Sequence, residues 1–289
     1  MSYLIAVTLL WAFSFSLIGE YLAGQVDNHF AVLTRIALAA LVFLPFLRVR
    51  GLSWRLRSGL MALGAVQLGL MYAFFYQSFL LLTVPEVLLF TIFTPVYVAV
   101  LDDLLAGRFS PAHLVTAALA VLGAAVIRYQ RPESAFWLGF LVVQGANLCF
   151  AAGQVGYRHL APHLPRNLPA HGVFGWFYLG ALALSALAFA LFGDPRQLPV
   201  SGLHWAVLVW LGVAASGVGY FLWNRGATRV DAGTLAAMNN ALIPAGLLVN
   251  LLIFNRDADL SRLAAGGAII IAAVWLGLRG SPRRLAAAG

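Results

Sequence analysis

The sequence predicts an all-α integral membrane protein of about ten transmembrane helices in two inverted five-helix repeats. Three observations carry that expectation. Of 289 residues, 62% are hydrophobic and only 10% are charged, with a mean hydropathy of +0.89, which leaves too little polar surface for a soluble domain of this length. Apolar runs of about 17 to 25 residues recur along the whole chain, each long enough to cross ~30 Å of hydrocarbon. The hydropathy and helix breakers of the second half also follow those of the first.

Read by apolar run and breaker, the spans fall near 3–20, 30–47, 59–81, 84–101, 111–127, 136–157, 171–192, 203–224, 232–253 and 261–279. Met1 to Leu10 lacks a basic stretch and leads directly into Trp11 and more apolar sequence, so the first run reads as a retained helix, not a cleaved signal. The second holds Arg35 within Phe30-Ala-Val-Leu-Thr-Arg-Ile-Ala. The third holds Tyr72 and Tyr76, four apart and therefore on one face. The fourth opens at Pro85-Glu86 and contains Pro95. Asn147 and Gln154 fall in the sixth, Tyr220, Trp223 and Asn224 in the eighth, and Asn239-Asn240 and Pro244 in the ninth. Connections such as Arg48 to Arg57, Gly107 to Pro111, Pro162 to Pro169 and Gly193 to Pro199 are too short for a soluble domain, so any chemistry belongs to the helices.

Arginine placement predicts the orientation. The sequence has eighteen basic residues, all arginine. With a cytoplasmic N-terminus, twelve fall inside (48, 50, 55, 57, 108, 158, 166, 225, 229, 279, 283 and 284) and five outside (128, 131, 196, 256 and 262). The bias places both termini on the cytoplasmic side of the inner (cytoplasmic) membrane. The net charge of +8 is spread through short loops and not gathered on one polar face, which excludes nucleic acid as a partner. The single cysteine, Cys149, lies in an apolar run, so no internal disulfide is possible.

A shift of 149 residues superposes Pro95 on Pro244, and one near 139 places Trp11 opposite Phe150. The expected units are residues 1–130 and 131–289. Each has five spans, an odd number, so the halves must cross the membrane in opposite directions and can form two gating states about a central site.

The candidate substrate contacts are the polar and aromatic groups placed at membrane depth. Arg35, five to seven residues inside its span, needs a partner, a water-filled cavity or a path to the interface. It suits an anionic substrate group. Glu86, the one acid plausibly within a span, reads either as an acid favoured at a helix N-terminus or as a partner of Arg35 in a gate or a zwitterion site, with a proton as coupling ion. Asn147, Gln154, Asn239 and Asn240 would leave donors and acceptors unpaired in lipid unless they face inward. Trp11, Tyr72, Tyr76 and Tyr220 supply an aromatic wall. Pro95 and Pro244 free backbone carbonyls and read as hinges. No metal or cofactor is expected. His159, His163 and His171 lie in or beside a proline-rich loop with no nearby acid.

The motifs Leu10-Trp11-Ala12-Phe13-Ser14, Leu33-Thr34-Arg35, Tyr76, Thr94-Pro95-Val96 and Gly107-Arg108-Phe109-Ser110-Pro111 leading to Gly123 resemble the drug/metabolite transporter superfamily, specifically its EamA-type ten-helix members. The resemblance covers nearly the whole chain. It implies a secondary transporter, in the export direction, for small organic metabolites such as amino acids or amine-like compounds, working by alternating access about a central cavity that takes in Ser14. Import or facilitation of another metabolite in the same fold is the alternative. Its partners would be the substrate and membrane lipid, with monomer and homodimer both open. Gly107 and Asn255 stand where the family often has glutamate. An intramembrane enzyme is disfavoured because Asp102-Asp103 is adjacent and not helically spaced, and no filter-like ring supports a channel.

Overall fold

The computed structural model describes residues 2–105, 107, 134–230 and 232–254, with isolated residues between 261 and 272. The fifth expected span, with Arg108 and Gly123, lies outside the described residues, as does most of the tenth. The described chain forms eight helices and no strand. They are α1 (Ser2–Tyr21), α2 (Asn28–Phe43, tightening to a 3₁₀ turn at Leu44–Phe46), α3 (Trp54–Ser78), α4 (Val84–Leu105), α5 (Ser134–Leu160), α6 (Ala170–Phe192), α7 (Gly202–Ala227) and α8 (Ala232–Leu252). The first seven are long and apolar enough to cross a membrane.

Helix starts follow local capping chemistry. Asp27 accepts from the Phe30 amide at 2.7 Å and Ser201 from the His204 amide at 3.1 Å. Ser53 caps α3 through the Leu56 amide, so this helix begins at Trp54 and not near 59. Its first turn carries Arg55 and Arg57 beyond the apolar run, where a polar helix end belongs.

Three spans are irregular. α4 passes through a 3₁₀ turn at Thr91–Phe93 just before Pro95. α3 has a π-helical stretch at Ala65–Leu70 and α7 another at Trp210–Val218. π-helical turns displace carbonyls from the regular ladder. In α7, tertiary contacts take them up: Trp11 Nε1 donates to the Ala215 carbonyl at 2.8 Å, while the Tyr178 hydroxyl reaches the carbonyls of Ser216 and Gly217 at 2.8 and 2.5 Å.

The packing has the exchange symmetry of an inverted repeat. Exchanging α1 with α5, α2 with α6, α3 with α7 and α4 with α8 carries each major helix pair onto another observed pair. The α3–α6 contact maps to α7–α2, α3–α5 to α7–α1, and α1–α8 to α5–α4, while α2–α6 maps to itself. An offset of 148 residues aligns Leu60 with Leu208, Gly64 with Gly212, Gly69 with Gly217 and Tyr72 with Tyr220. Gly64 packs so closely on the Phe177 carbonyl that a Cβ would overlap it, and a Cβ on Gly212 would meet the Arg35 carbonyl at 3.0 Å. Small residues here let the backbones approach, as membrane helix pairs require. Repeat-related side chains meet at the centre, Trp11 with Phe150 and Tyr72 with Tyr220, each pair at 5.8 Å between ring centroids.

Candidate functional site

These central pairs border a cavity in the middle of the bundle. Its volume is about 80 Å³, room for several waters where about 10–15 Å³ holds one. α1 contributes Trp11, Ser14 and Phe15, and α2 contributes Arg35. α3 adds Met71, Tyr72 and Phe75, and α4 adds Thr91 and Thr94 from its 3₁₀ break. α5 supplies Ala146, Asn147 and Phe150, α7 supplies Tyr220, and α8 supplies Asn239 and Leu242.

Arg35 is 2% exposed and sits seven residues into α2, about 10 Å from its start at 1.5 Å per residue. Its guanidinium lies over the Tyr72 ring, 4.1 Å from the centroid, a cation–π arrangement that offsets part of the cost of burying the charge. Nε donates to Ser216 Oγ at 2.5 Å and Nη1 reaches the Tyr76 hydroxyl at 3.4 Å. Ser216 Oγ also lies 2.9 Å from the Tyr72 hydroxyl. Two edges of the guanidinium are thus positioned by α3 and α7, and Nη2 has no partner among the described residues. A guanidinium held this way presents donors to an anion.

A second polar group is built on α4 and α5. Asn147 Nδ2 donates to the Phe90 carbonyl at 2.8 Å and lies 3.2 Å from Gln144 Oε1, and Asn147 Oδ1 receives the Thr94 hydroxyl at 3.2 Å. Around Asn239 of the cavity wall, Trp223 Nε1 donates to Gln154 Oε1 at 3.1 Å, and Asn239 Nδ2 reaches the same oxygen at 3.3 Å and the Leu235 carbonyl at 3.0 Å. Trp11 packs on Tyr220 and Trp223 at 4.8 and 4.9 Å between centroids.

Of the candidates read from sequence, the structure brings Trp11, Ser14, Arg35, Tyr72, Asn147, Tyr220 and Asn239 to one cavity. Tyr76 and Gln154 stand behind that lining, on Arg35 and Asn239. Asn240, half-buried, is not among the lining residues. Glu86 lies elsewhere: Oε2 accepts from the Thr83 amide at 2.8 Å and the Thr83 hydroxyl at 2.9 Å, closing a capping box at the start of α4. Pro95 follows the α4 break and Pro244 lies inside α8. Ser216, Tyr178, Thr91 and Gln67 were not singled out from sequence. Gln67 is fully buried in the α3 π-helical stretch, where Gly153 leaves room for its side chain. Single hydroxyls and an amide within apolar runs carry no sequence signal of the face they occupy.

A family model described as the EamA-like transporter family matches residues 1–129 and 137–278. The chain belongs to that family. It is therefore a multi-pass membrane protein and a transporter of small molecules. It is 58% identical over 276 residues, 96% of each chain, to a protein of Pseudomonas aeruginosa named probable biotin transporter. It is 51% identical to the biotin transporter of Salmonella typhimurium over 96% of this chain and 92% of that one. A more distant relative, the aromatic amino acid exporter YddG of Ancylobacter novellus, is 31% identical over 179 residues, 59% of each chain. A crystal structure covering 97% of this chain and 98% of its own shares the fold, with a TM-score of 0.67 at 22% identity.

Proposed function

We propose that this protein carries biotin across the cytoplasmic membrane, binding it in the central cavity with the carboxylate on Arg35. The charge of the cavity carries this reading. Among its described lining residues Arg35 is cationic and none is acidic, so the site suits a monoanion whose other polar groups are neutral. Biotin is such a molecule, with a carboxylate on an apolar chain and a fused ring bearing a neutral cyclic urea. An amino acid would bring an ammonium group into a cavity whose described lining has no acid to pair it, at the cost of an uncompensated buried charge. The relatives at 50–58% identity, named for biotin, support the same choice over the amino acids named for the more distant relative.

Counterflow tests the substrate without presupposing direction. Proteoliposomes loaded with unlabelled biotin are expected to accumulate tritiated biotin transiently, and vesicles loaded with phenylalanine are not. Accumulation of labelled phenylalanine by phenylalanine-loaded vesicles, with no accumulation of labelled biotin by biotin-loaded ones, would replace this reading with amino acid transport.

The arginine bias supports both termini as cytoplasmic. With Cys149 replaced, a cysteine at position 198, between α6 and α7, is expected to react with an impermeant maleimide in intact cells, and one at position 54 only after lysis. The opposite pattern would invert the orientation.

A further inference from the structure

On the biotin reading above, we infer that Ser14 and Asn147 form a second subsite that recognises the neutral cyclic urea, with the Ser14 hydroxyl donating to its carbonyl and Asn147 Oδ1 accepting from a urea N–H. The assignment rests on which hydrogen-bonding groups of the lining are already used.

The carbonyl of Phe90 can only accept, so Asn147 must present its amide nitrogen there, which fixes the side-chain flip. Its two hydrogens are then taken by the Phe90 carbonyl and Gln144 Oε1, at 2.8 and 3.2 Å. Asn239 is fixed by the same logic, with its hydrogens on the Leu235 carbonyl and Gln154 Oε1. The hydroxyl hydrogen of Thr91 is spent on the Leu88 carbonyl at 2.7 Å, and that of Thr94 lies between the Thr91 carbonyl and Asn147 Oδ1. These groups keep lone pairs but no free hydrogen. This side of the cavity therefore reads N–H donors.

Ser14 is the exception. It is 4% exposed, lines the cavity, and its Oγ has no hydrogen-bond partner among the described residues. A helical serine commonly bonds back to the carbonyl one turn earlier; this one makes no such bond, so its hydrogen is unspent. One donor among several acceptors complements a urea, which offers one carbonyl between two N–H groups. The rings of Tyr72, Tyr220 and Phe150, at 5.8 Å steps, line the same cavity as these polar groups and Arg35. A molecule with an apolar body, a carboxylate and a urea matches that set of lining groups.

Ser14→Ala is the informative variant, because the hydroxyl has no bond to lose among the described residues and folded yield should not change. Binding of tritiated biotin to purified protein in detergent is expected to weaken about tenfold, the loss of roughly one hydrogen bond. Competition by a thiourea analogue, whose sulfur is a poor acceptor, should be weak on the parent and much closer to biotin on Ser14→Ala. An analogue methylated on the urea nitrogens should likewise lose most of its disadvantage on Asn147→Ala. If the parent binds biotin but Ser14→Ala binds it equally well, or both analogues keep their full disadvantage on the variants, the subsite is wrong while the biotin reading stands. If the parent does not bind biotin, both fall.

Discussion

Arg35→Ala is expected to abolish measurable biotin binding while leaving the protein folded. The side chain is the one cation on the described cavity wall. Its Nε and Nη1 are held by Ser216 and Tyr76 and its plane by the Tyr72 ring, so no ordering cost remains when a carboxylate arrives. Removing one partner of a buried, hydrogen-bonded charge pair costs about 2–5 kcal/mol, a loss of roughly thirty-fold to several thousand-fold in affinity. The fold should survive because Ser216 Oγ retains the Tyr72 hydroxyl at 2.9 Å, and deletion removes a buried charge without stranding an opposite one among the described residues. Arg35→Lys is expected to recover only part of the affinity, since an ammonium lacks the planar fork and cannot reach Ser216 and the ligand together. The measurement is tritiated biotin binding on monodisperse protein in detergent. Parent-like binding by Arg35→Ala would make the arginine a structural residue and remove the carboxylate contact.

Gly180→Leu is expected to be the most damaging change to the fold. α3 and α6 cross with their backbones nearly touching: a Cβ on Gly180 would overlap the backbone of Met61, and one on Gly64 the carbonyl of Phe177. A flexible side chain could turn away, but a helix backbone cannot yield without separating the two spans. Overpacking a core typically costs about 1–3 kcal/mol, occasionally more, and rigid neighbours place this site at the upper end. Fluorescence-detected size exclusion should show loss of the monodisperse peak for Gly180→Leu and for Gly64→Leu. Gly202→Leu should behave as the parent, because a Cβ there meets nothing within 4 Å. A normal peak and melting temperature for Gly180→Leu would show that the spans do not pack through this contact.

The sequence by itself determined the membrane class, the position of every described span to within a few residues, and the repeat. These properties are local or periodic. A hydrocarbon slab demands a certain length of apolar chain, and capping residues such as Asp27 and Ser53 mark the ends. Arg35 was equally legible, because a charge at that depth is costly in any arrangement. The tertiary structure decided which polar groups share a cavity. Lipid is as apolar as the bundle interior, so a membrane helix can be hydrophobic all round, and its pattern does not reveal its inward face. Ser216 thus gave no sign that it positions Arg35, nor Tyr178 that it satisfies the π-helical carbonyls of α7. Glu86 read in sequence as a cap or as a partner for Arg35, and only the fold placed its carboxylate on Thr83. The same holds for Asn147: its presence was visible, but which of its hydrogens remain for a ligand depends on a carbonyl 57 residues away. Length and composition place a chain in a membrane; helix rotation and pairing decide which of its few polar atoms are left free.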